Sequence, residues 1–485
     1  MMFAILAVSL ALTAHAQDLP EHRLQAPGPL SPRAFQLPEA RTAKLSNGLD
    51  VLLVENHEVP LVYVNVVVGM GAATDPIGQE GLVSVTLDMM DEGAGTRSAE
   101  DLSIASRKLG ADLSTFSDVD YSGTGLQVLR RNLEPGLDLL ADVTLRPTFP
   151  EGDWGIMQKR RIQDLAAAKA DPNRIAARVF SRLMHGDTYA GRHASEAAYQ
   201  GISRENMAAW HGSYFRPDHA LILVGGDTTL DEVVPLLEAR FGSWTVEGDA
   251  PSGADTTTAV PEHPENTVYL HHVEGAAQSV IRMGTFVMDR QDPEAGAFFL
   301  ANRAYGGQFM SRLNLNLRED KGWTYGARSG IRHSERPDLW VMRSSVVTPA
   351  TADAITETFR ELDGLTEGGT SAGGDAFPAL DQAELDRVRD GLLYTWPLSF
   401  ENPGYLLRER LQMWRYELPS DWLTSYPDRM RAVELGAAYD AWTAQLDRSH
   451  LVIAVVGDAD VVRPAIEALS LTVVMVDADG EVLAD

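Results

Sequence analysis

The sequence predicts an α+β protein made of two like halves. Strand-like segments alternate with helical ones along all 485 residues, roughly three times a typical single-domain length. The order of segments in the first half is repeated in the second. Two segments that close the halves, HALILVGGD ending at Asp227 and HLVIAVVGD ending at Asp458, are alike and lie nearly half the chain apart. Self-similarity over such a period indicates an internal duplication.

The first half is defined by turn and cap residues. Apolar runs on both sides of Asn47-Gly48 predict a β-hairpin, and VPLVYVNVVVGMGA reads as the next strand. Helical spacing in GLVSVTLDMMDEG and SAEDLSIASRKLG predicts two helices, the second opened by a capping box of Ser98 and Asp101. DLSTFSDVDYSGTGLQVL alternates as a strand does. A long helical stretch is expected from Glu151 to about Leu183.

The second half follows the same order. TVYLHHVEGAAQSVIRMGTFV is strand-like, EAGAFFLANRAYGG is helical, TYGARSGIRHSERPDLWVMRSSV alternates, and AELDRVRDGLLYTW begins a long helical stretch. Residues 247–267 are rich in Gly, Pro, Thr and acidic residues, as linkers are. We therefore expect a first domain at 37–246, a linker at 247–267 and a second domain at 268–485.

The N-terminus has the pattern of a secretory signal. An apolar run from Met2 to Ala14 is followed by an A-x-A site, which predicts a signal peptide at 1–16 with cleavage after Ala16. The start lacks Lys or Arg, so a mis-chosen start codon or a buried N-terminus remains an alternative. Residues 17–36 are Pro-rich and read as an extended leader. No other stretch reads as a membrane anchor, and we expect a periplasmic or secreted protein.

Charge and cysteine content exclude several classes of function. The formal net charge is −28, which repels nucleic acids and anionic lipids, so neither is an expected partner. The chain has no cysteine, which excludes disulfides, thiolate catalysis and cysteine-ligated metal sites.

Three phrases in this order carry a family resemblance. They are KLSNGLDVLLVENHEVPLVYVNVVVGMGAATDP, HASEAAYQGISRENMAAWHGSYFRPDHALILVGGD and LREDKGWTYG. Together they resemble peptidase family M16, the pitrilysin, insulinase and mitochondrial processing peptidase group of zinc metallopeptidases. The resemblance covers nearly all of the chain after the leader. It implies two LuxS/MPP-like metallohydrolase domains, each a mostly antiparallel sheet flanked by helices, which face each other across a chamber.

The resemblance also locates a degenerate zinc motif. Active members carry His-x-x-Glu-His on a helix, where two His bind zinc and the Glu is the general base. The matching positions here hold Ser84, Leu87 and Asp88, and the downstream Glu position falls near Asp164. A hard-metal hydrolase that uses Asp88 and Asp164 is an alternative, but Ca²⁺ or Mg²⁺ would want more oxygen ligands and Leu87 cannot be a base. We expect no metal or other cofactor in this chain.

The second-half phrase retains the substrate-binding residues of the family. By resemblance, Arg318 and Tyr325 are the Arg and Tyr that reach towards the substrate at the zinc. Some bacterial members divide the zinc motif and the Arg/Tyr pair between two chains. The resemblance therefore implies a non-zinc subunit that is inactive alone, binds an extended peptide, and is active as a heterodimer with a homologue that holds Zn²⁺. The alternative is a catalytically dead assembly or peptide-binding subunit.

Overall fold

A computed structural model describes residues 36–249, 251, 261–334, 337–370 and 376–484. Residues Leu37–Asp485 form one compact unit. The predicted signal peptide at 1–16 and all but the last residue of the predicted leader at 17–36 lie outside the described residues, as does part of the predicted linker at 247–267. Within the described ranges, no helix is both long enough and apolar enough to cross a membrane.

The first half contains eight strands and eight α-helices among its described residues. The strands are β1 (Ala40–Lys44), β2 (Asp50–Glu55), β3 (Leu61–Val68), β4 (Gly93–Ala94), β5 (Arg97–Ser98), β6 (Asp112–Ser117), β7 (Ser122–Leu129) and β8 (Ala220–Gly226). The helices are α1 (Leu82–Met90), α2 (Ala99–Leu109), α3 (Leu133–Leu145), α4 (Glu151–Ala168), α5 (Pro172–His185), α6 (Glu196–Gly201), α7 (Arg204–Tyr214) and α8 (Leu230–Phe241).

The second half repeats this plan. Its described strands are β9 (Thr267–His272), β10 (Gln278–Val287), β11 (Thr324–Arg332), β12 (Asp338–Val347), β13 (Gly369–Thr370), β14 (Ala376–Phe377), β15 (Val452–Gly457) and β16 (Thr472–Met475). Its helices are α9 (Ala295–Tyr305), α10 (Arg312–Asn314), α11 (Thr351–Glu367), α12 (Gln382–Thr395), α13 (Pro403–Arg415), α14 (Tyr426–Arg431), α15 (Leu435–Gln445) and α16 (Ala459–Glu467). A π-helical turn, Leu315–Asp320, continues directly from α10.

Each half is built on one six-stranded sheet. The strand orders are β1-β2-β8-β3-β7-β6 and β11-β12-β10-β15-β9-β16. Only β2/β8 in the first sheet, and β15/β9 and β9/β16 in the second, pair in parallel. The prediction of two α+β halves with mostly antiparallel sheets is confirmed. The two closing segments that are alike in sequence form β8 and β15, which are interior strands of their sheets.

Local signals in the sequence of the first half predict a hairpin, a capped helix and a long helical stretch. The Asn47-Gly48 hairpin joins β1 to β2, and the Ser98–Asp101 capping box opens α2. The long helical stretch expected from Glu151 to about Leu183 is helical, but it divides at 169–171 into α4 and α5. Asp171 caps α5 by accepting hydrogen bonds from two backbone N–H groups of its first turn, and Pro172, which has no N–H, occupies the first position of the new helix.

The two halves exchange a helix. Helix α5 of the first half packs on β10 and β15 of the second sheet, and its Phe180 lies where Gly284 leaves room, since a Cβ there would be 2.7 Å from the ring. In return, α13 of the second half packs on β8 of the first sheet, with Leu407 against Gly225. Each sheet therefore has one face buried by its own helices and another partly covered by a helix of the other half.

Polar contacts reinforce this exchange. Arg182 on α5 bonds Glu481 near the C-terminus at 2.7 Å, and Tyr416 just after α13 donates to Asp120 of the first half at 2.9 Å. Between the halves lies a cavity of about 110 Å³, lined from one side by Asp118 and Asp120 and from the other by Arg332.

Candidate functional site

The helix on which the family resemblance places the degenerate zinc motif begins at a half-buried carboxylate. The side chain of Asp75 accepts hydrogen bonds from the N–H groups of Gly81 at 2.7 Å and Val83 at 2.8 Å, which fixes the start of α1. Burial raises the pKa of Asp75 to about 6, although the two N–H donors act in the opposite direction. The neighbouring Glu80 adds to the rise, and Arg192 opposes it.

The motif positions on α1 lie around an ion pair. Leu87 is 1% exposed and belongs to the first-half core, while Ser84 and Asp88 are half-buried. The carboxylate of Asp88 contacts the guanidinium of Arg161, which projects from the adjacent helix α4. Asp164, one turn further along α4, is exposed. The guanidinium of Arg161 therefore lies beside Asp88, which occupies the second His position of the motif.

These residues do not fit a zinc ion. A zinc site needs neutral His or anionic ligands that converge on one point, and here the one convergent carboxylate is neutralised by an arginine. The part of the chain that the structure describes holds no group of three His, Cys, Asp or Glu residues able to share a metal. Leu87, packed into the core, offers no base.

Arg318 lies on the π-helical turn that follows α10. Its guanidinium stacks on the ring of Phe309, 4.7 Å from the ring centre, and its Nε is 3.5 Å from Glu319. Asp320, the other acidic neighbour, pairs with Lys321 instead. The contact with Glu319 is long, so the stacked ring fixes the guanidinium at least as much as the acid does.

Two asparagines support this turn, Asn314, which is buried, and Asn316, which is half-buried. Asn316 donates from its amide to Glu357 at 2.9 Å and to Glu361 at 2.8 Å. Asn314 donates to the carbonyl of Phe309 at 2.8 Å and accepts from the N–H of Ala327 at 3.1 Å. Asn314 therefore ties the turn under Arg318 to strand β11, and Asn316 ties it to helix α11. Burial raises the pKa of Glu361, and the hydrogen bond from Asn316 opposes that rise.

Tyr325 stands on a β-bulge at the start of β11. Thr324 pairs with Val346 and Ala327 with Ser344, so β11 carries one residue more than β12 between these pairs. The Thr324 hydroxyl bonds both the N–H and the carbonyl of Gly326, which holds the bulge. The side chain of Tyr325 is 91% exposed. It does not pack beside Trp323, which is half-buried against the second-half core.

Comparison with known proteins decides the family. The model of the family "Insulinase (Peptidase family M16)" matches residues 50–199, and the model of the "Peptidase M16 inactive domain" matches residues 201–392. This chain belongs to peptidase family M16. The uncharacterized zinc protease YmxG of Bacillus subtilis is 23% identical over 329 residues, which are 66% of this chain and 78% of YmxG. An uncharacterized zinc protease of Mycobacterium tuberculosis (strain H37Rv) is 26% identical over 349 residues, or 70% and 78% of the two chains.

Solved structures of M16 proteins share the fold. The peptidase M16 inactive domain from Pseudomonas fluorescens has a TM-score of 0.74 at 21% identity, covering 86% of this chain and 98% of that one. The periplasmic protease PqqL from Escherichia coli has a TM-score of 0.71 at 16% identity, covering 94% of this M16 chain and 48% of PqqL. The expected pair of M16-like domains is therefore confirmed.

The structure brings together the members of each predicted set of site residues, and it adds supporting residues that the sequence analysis missed. Ser84, Leu87 and Asp88 share one helix, and Arg318 and Tyr325 lie on neighbouring elements, a π turn and a strand that pack together. Arg161 was missed, although it stands one helical turn before Asp164 and so on the same helix face. Asn316 was also missed, although it precedes Arg318 by two residues.

Proposed function

We propose that this M16 chain is the non-zinc subunit of a heterodimeric metallopeptidase. In this proposal Arg318 and Tyr325 complete the active site of a separate M16 homologue, which holds the zinc ion. The observation that carries it is the exposure of Tyr325: a bulge held by Thr324 projects an aromatic side chain into solvent, on a strand that packs against the turn carrying Arg318. A side chain with only a packing role would be buried.

The chemistry of the pair suits an extended peptide. The Arg318 guanidinium has fixed N–H donors for peptide carbonyl oxygens and stays charged at any working pH. The Tyr325 hydroxyl donates a hydrogen bond to the scissile carbonyl oxygen as that oxygen becomes an oxyanion. The partner would supply the metal and the general base, because α1 has a leucine at the base position and an Asp88–Arg161 pair beside it.

The surface around the pair supports an intermolecular contact. Phe309, whose ring carries Arg318, and the adjacent Met310 are both exposed large apolar side chains. Exposed apolar residues grouped beside polar functional groups are typical of protein interfaces. The peptide would not join β11 as an added strand, because the outward N–H groups of Ala327 and Ser329 already bond Asn314 and Gly306.

The experiment measures peptide hydrolysis by this chain, by a zinc-motif M16 homologue from the same source, and by the two mixed. We expect activity in the mixture alone. Tyr325→Phe and Arg318→Ala in the mixture should each lower kcat by about 100-fold or more, as removal of an oxyanion donor does. Tyr394→Phe and Arg131→Ala, which alter other exposed side chains, serve as matched controls and should leave the rate unchanged.

A second candidate is an assembly or peptide-binding subunit without catalytic contribution. The observation that favours it is the match of residues 201–392 to the family's inactive domain. Complex formation with the zinc-bearing homologue, together with hydrolysis that is indifferent to Arg318→Ala and Tyr325→Phe, would support this candidate and refute the first. Hydrolysis by this chain alone would refute both.

A further inference from the structure

Three arginines form a straight row across the second sheet. Arg328 of β11 lies opposite Arg343 of β12, and Arg343 lies opposite Arg282 of β10. Directly opposed residues of antiparallel strands point to the same face, with Cβ atoms about 5 Å apart. We call these three residues the arginine row.

The row points away from the second-half core. Its neighbours along the three strands, among them Ala327, Met342 and Met283, are buried in that core. Because side chains alternate along a strand, the arginines lie on the opposite face, on which α5 of the first half packs. The row therefore runs from beside α5 to the outer strand β11, which also carries Tyr325.

The arginine row has no acidic partner within the described residues. None of its three members forms an ion pair there, and the Nε of Arg282 is buried without a hydrogen bond. Burial lowers the pKa of Arg282, and the positive charges of Arg343 and Arg332 lower it further. Arg332 is left out of the row because it lines the cavity between the halves with Asp118 and Asp120.

This arrangement is unfavourable without an anion. Like charges placed directly opposite each other destabilise a sheet, and a buried guanidinium N–H without an acceptor adds a desolvation penalty. The chain carries 69 acidic residues against 41 basic ones, so acidic partners are abundant elsewhere in its sequence. Three arginines without an ion pair among the described residues are thus a specific local feature of so acidic a protein, and a bound carboxylate would stabilise them.

We propose that the arginine row binds acidic side chains of the extended peptide held by Arg318 and Tyr325. Guanidinium groups bind carboxylates through paired hydrogen bonds. Side chains two positions apart in an extended peptide lie about 7 Å apart on one face, within the reach of neighbouring arginines of the row. Polyanions are disfavoured, because the net charge of −28 repels them, whereas a peptide with two or three carboxylates meets that repulsion only weakly.

This inference rests on the proposed function, because it names the substrate class of the same site. Its test is direct binding to the isolated full chain, without the zinc-bearing homologue. A labelled extended peptide with Glu at two alternate positions is compared with the same peptide carrying Gln there, by fluorescence anisotropy at low and moderate salt. We expect at least tenfold tighter binding of the Glu peptide, and a smaller difference at higher salt.

The variants separate this inference from the proposed function. Arg328→Gln with Arg343→Gln should remove the preference for Glu while leaving the affinity for the Gln peptide unchanged. Arg131→Gln, at an exposed arginine of the first half, is the matched control and should keep the preference. Arg318→Ala should weaken both peptides equally, so a failure of the Arg/Tyr site appears as lost affinity and a failure of the row as lost discrimination.

Two outcomes would overturn the inference. One is equal affinity for the Glu and Gln peptides, including no measurable binding of either. The other is displacement of the Glu peptide by inorganic phosphate at a lower concentration than by glutamate-containing peptide. The double variant should fold, because it removes two positive charges that face each other and so relieves their repulsion. A melting temperature no lower than that of the unchanged chain checks this point.

Discussion

Asp75, at the start of the degenerate motif helix, should make stability depend on pH. Its folded-state pKa of about 6 lies above the ordinary value of 3.8. The folded protein therefore holds this proton more tightly than the unfolded chain does. The stabilisation from the protonated carboxyl is fully present below pH 3.8 and is lost as the pH rises through 6. A difference of about two pKa units corresponds to up to about 3 kcal/mol.

Asp75→Asn isolates this effect, because the amide does not titrate. Urea unfolding of both proteins is followed from pH 4 to pH 8, and the free energy of the variant is subtracted from that of the unchanged chain at each pH. This difference should fall by up to about 3 kcal/mol between pH 4 and pH 7. Glu58→Gln, at an exposed position, is the control. A difference that is flat, or that rises with pH, would refute the reasoning.

Three further predictions concern the packing of α13 on the first sheet, the support of the π turn by Asn316, and the exclusion of zinc by Arg161. Leu407→Ala removes a buried contact between α13 and the first sheet and should lower the free energy of unfolding by about 2–5 kcal/mol, whereas Leu398→Ala, at a 59% exposed leucine, should change it by less than about 0.5 kcal/mol. Equal effects would contradict the exchanged-helix packing. Asn316→Ala leaves two carboxylates without their amide donor and should cost about 3 kcal/mol in urea unfolding; a neutral result would show that the π turn does not depend on it. Restoring His-x-x-Glu-His on α1 should give weak zinc binding by calorimetric titration until Arg161→Ala is added, which should tighten it at least tenfold; no gain would mean that the guanidinium does not exclude the metal.

Local chemistry made much of the fold predictable. A hairpin at Asn47-Gly48 and a capping box at Ser98 depend on neighbours within a few residues, and both are found. The amphipathic pattern of α5 predicts that one face is buried, but it carries no information on which sheet covers that face. The exchange with α13 was therefore invisible in the sequence. It depends on contacts between residues more than 100 positions apart.

The site was predictable only as far as single positions. The residue types at the predicted motif positions, Ser84 and Asp88, can be read directly from the sequence, but the pairing of Asp88 with Arg161 depends on how α1 packs against α4. Tyr325 lies in a segment that reads as a regular strand, and the bulge that exposes it is a matter of register with β12. The arginine row depends on register in the same way, across three strands.

The exchange of α5 and α13 makes each half depend on the other to cover one face of its sheet. Two copies of a single half, each lending a helix to the other, would make a swapped dimer, and joining them end to end gives the present arrangement. After such a fusion neither half is dispensable, because deleting one would leave the other with a bare apolar sheet face. The first half, with Ser84 and Asp88 on α1, supplies α5 to the second sheet whatever residues α1 carries. A change of side chains on α1 would therefore leave the structural contribution of the first half, the helix α5, in place.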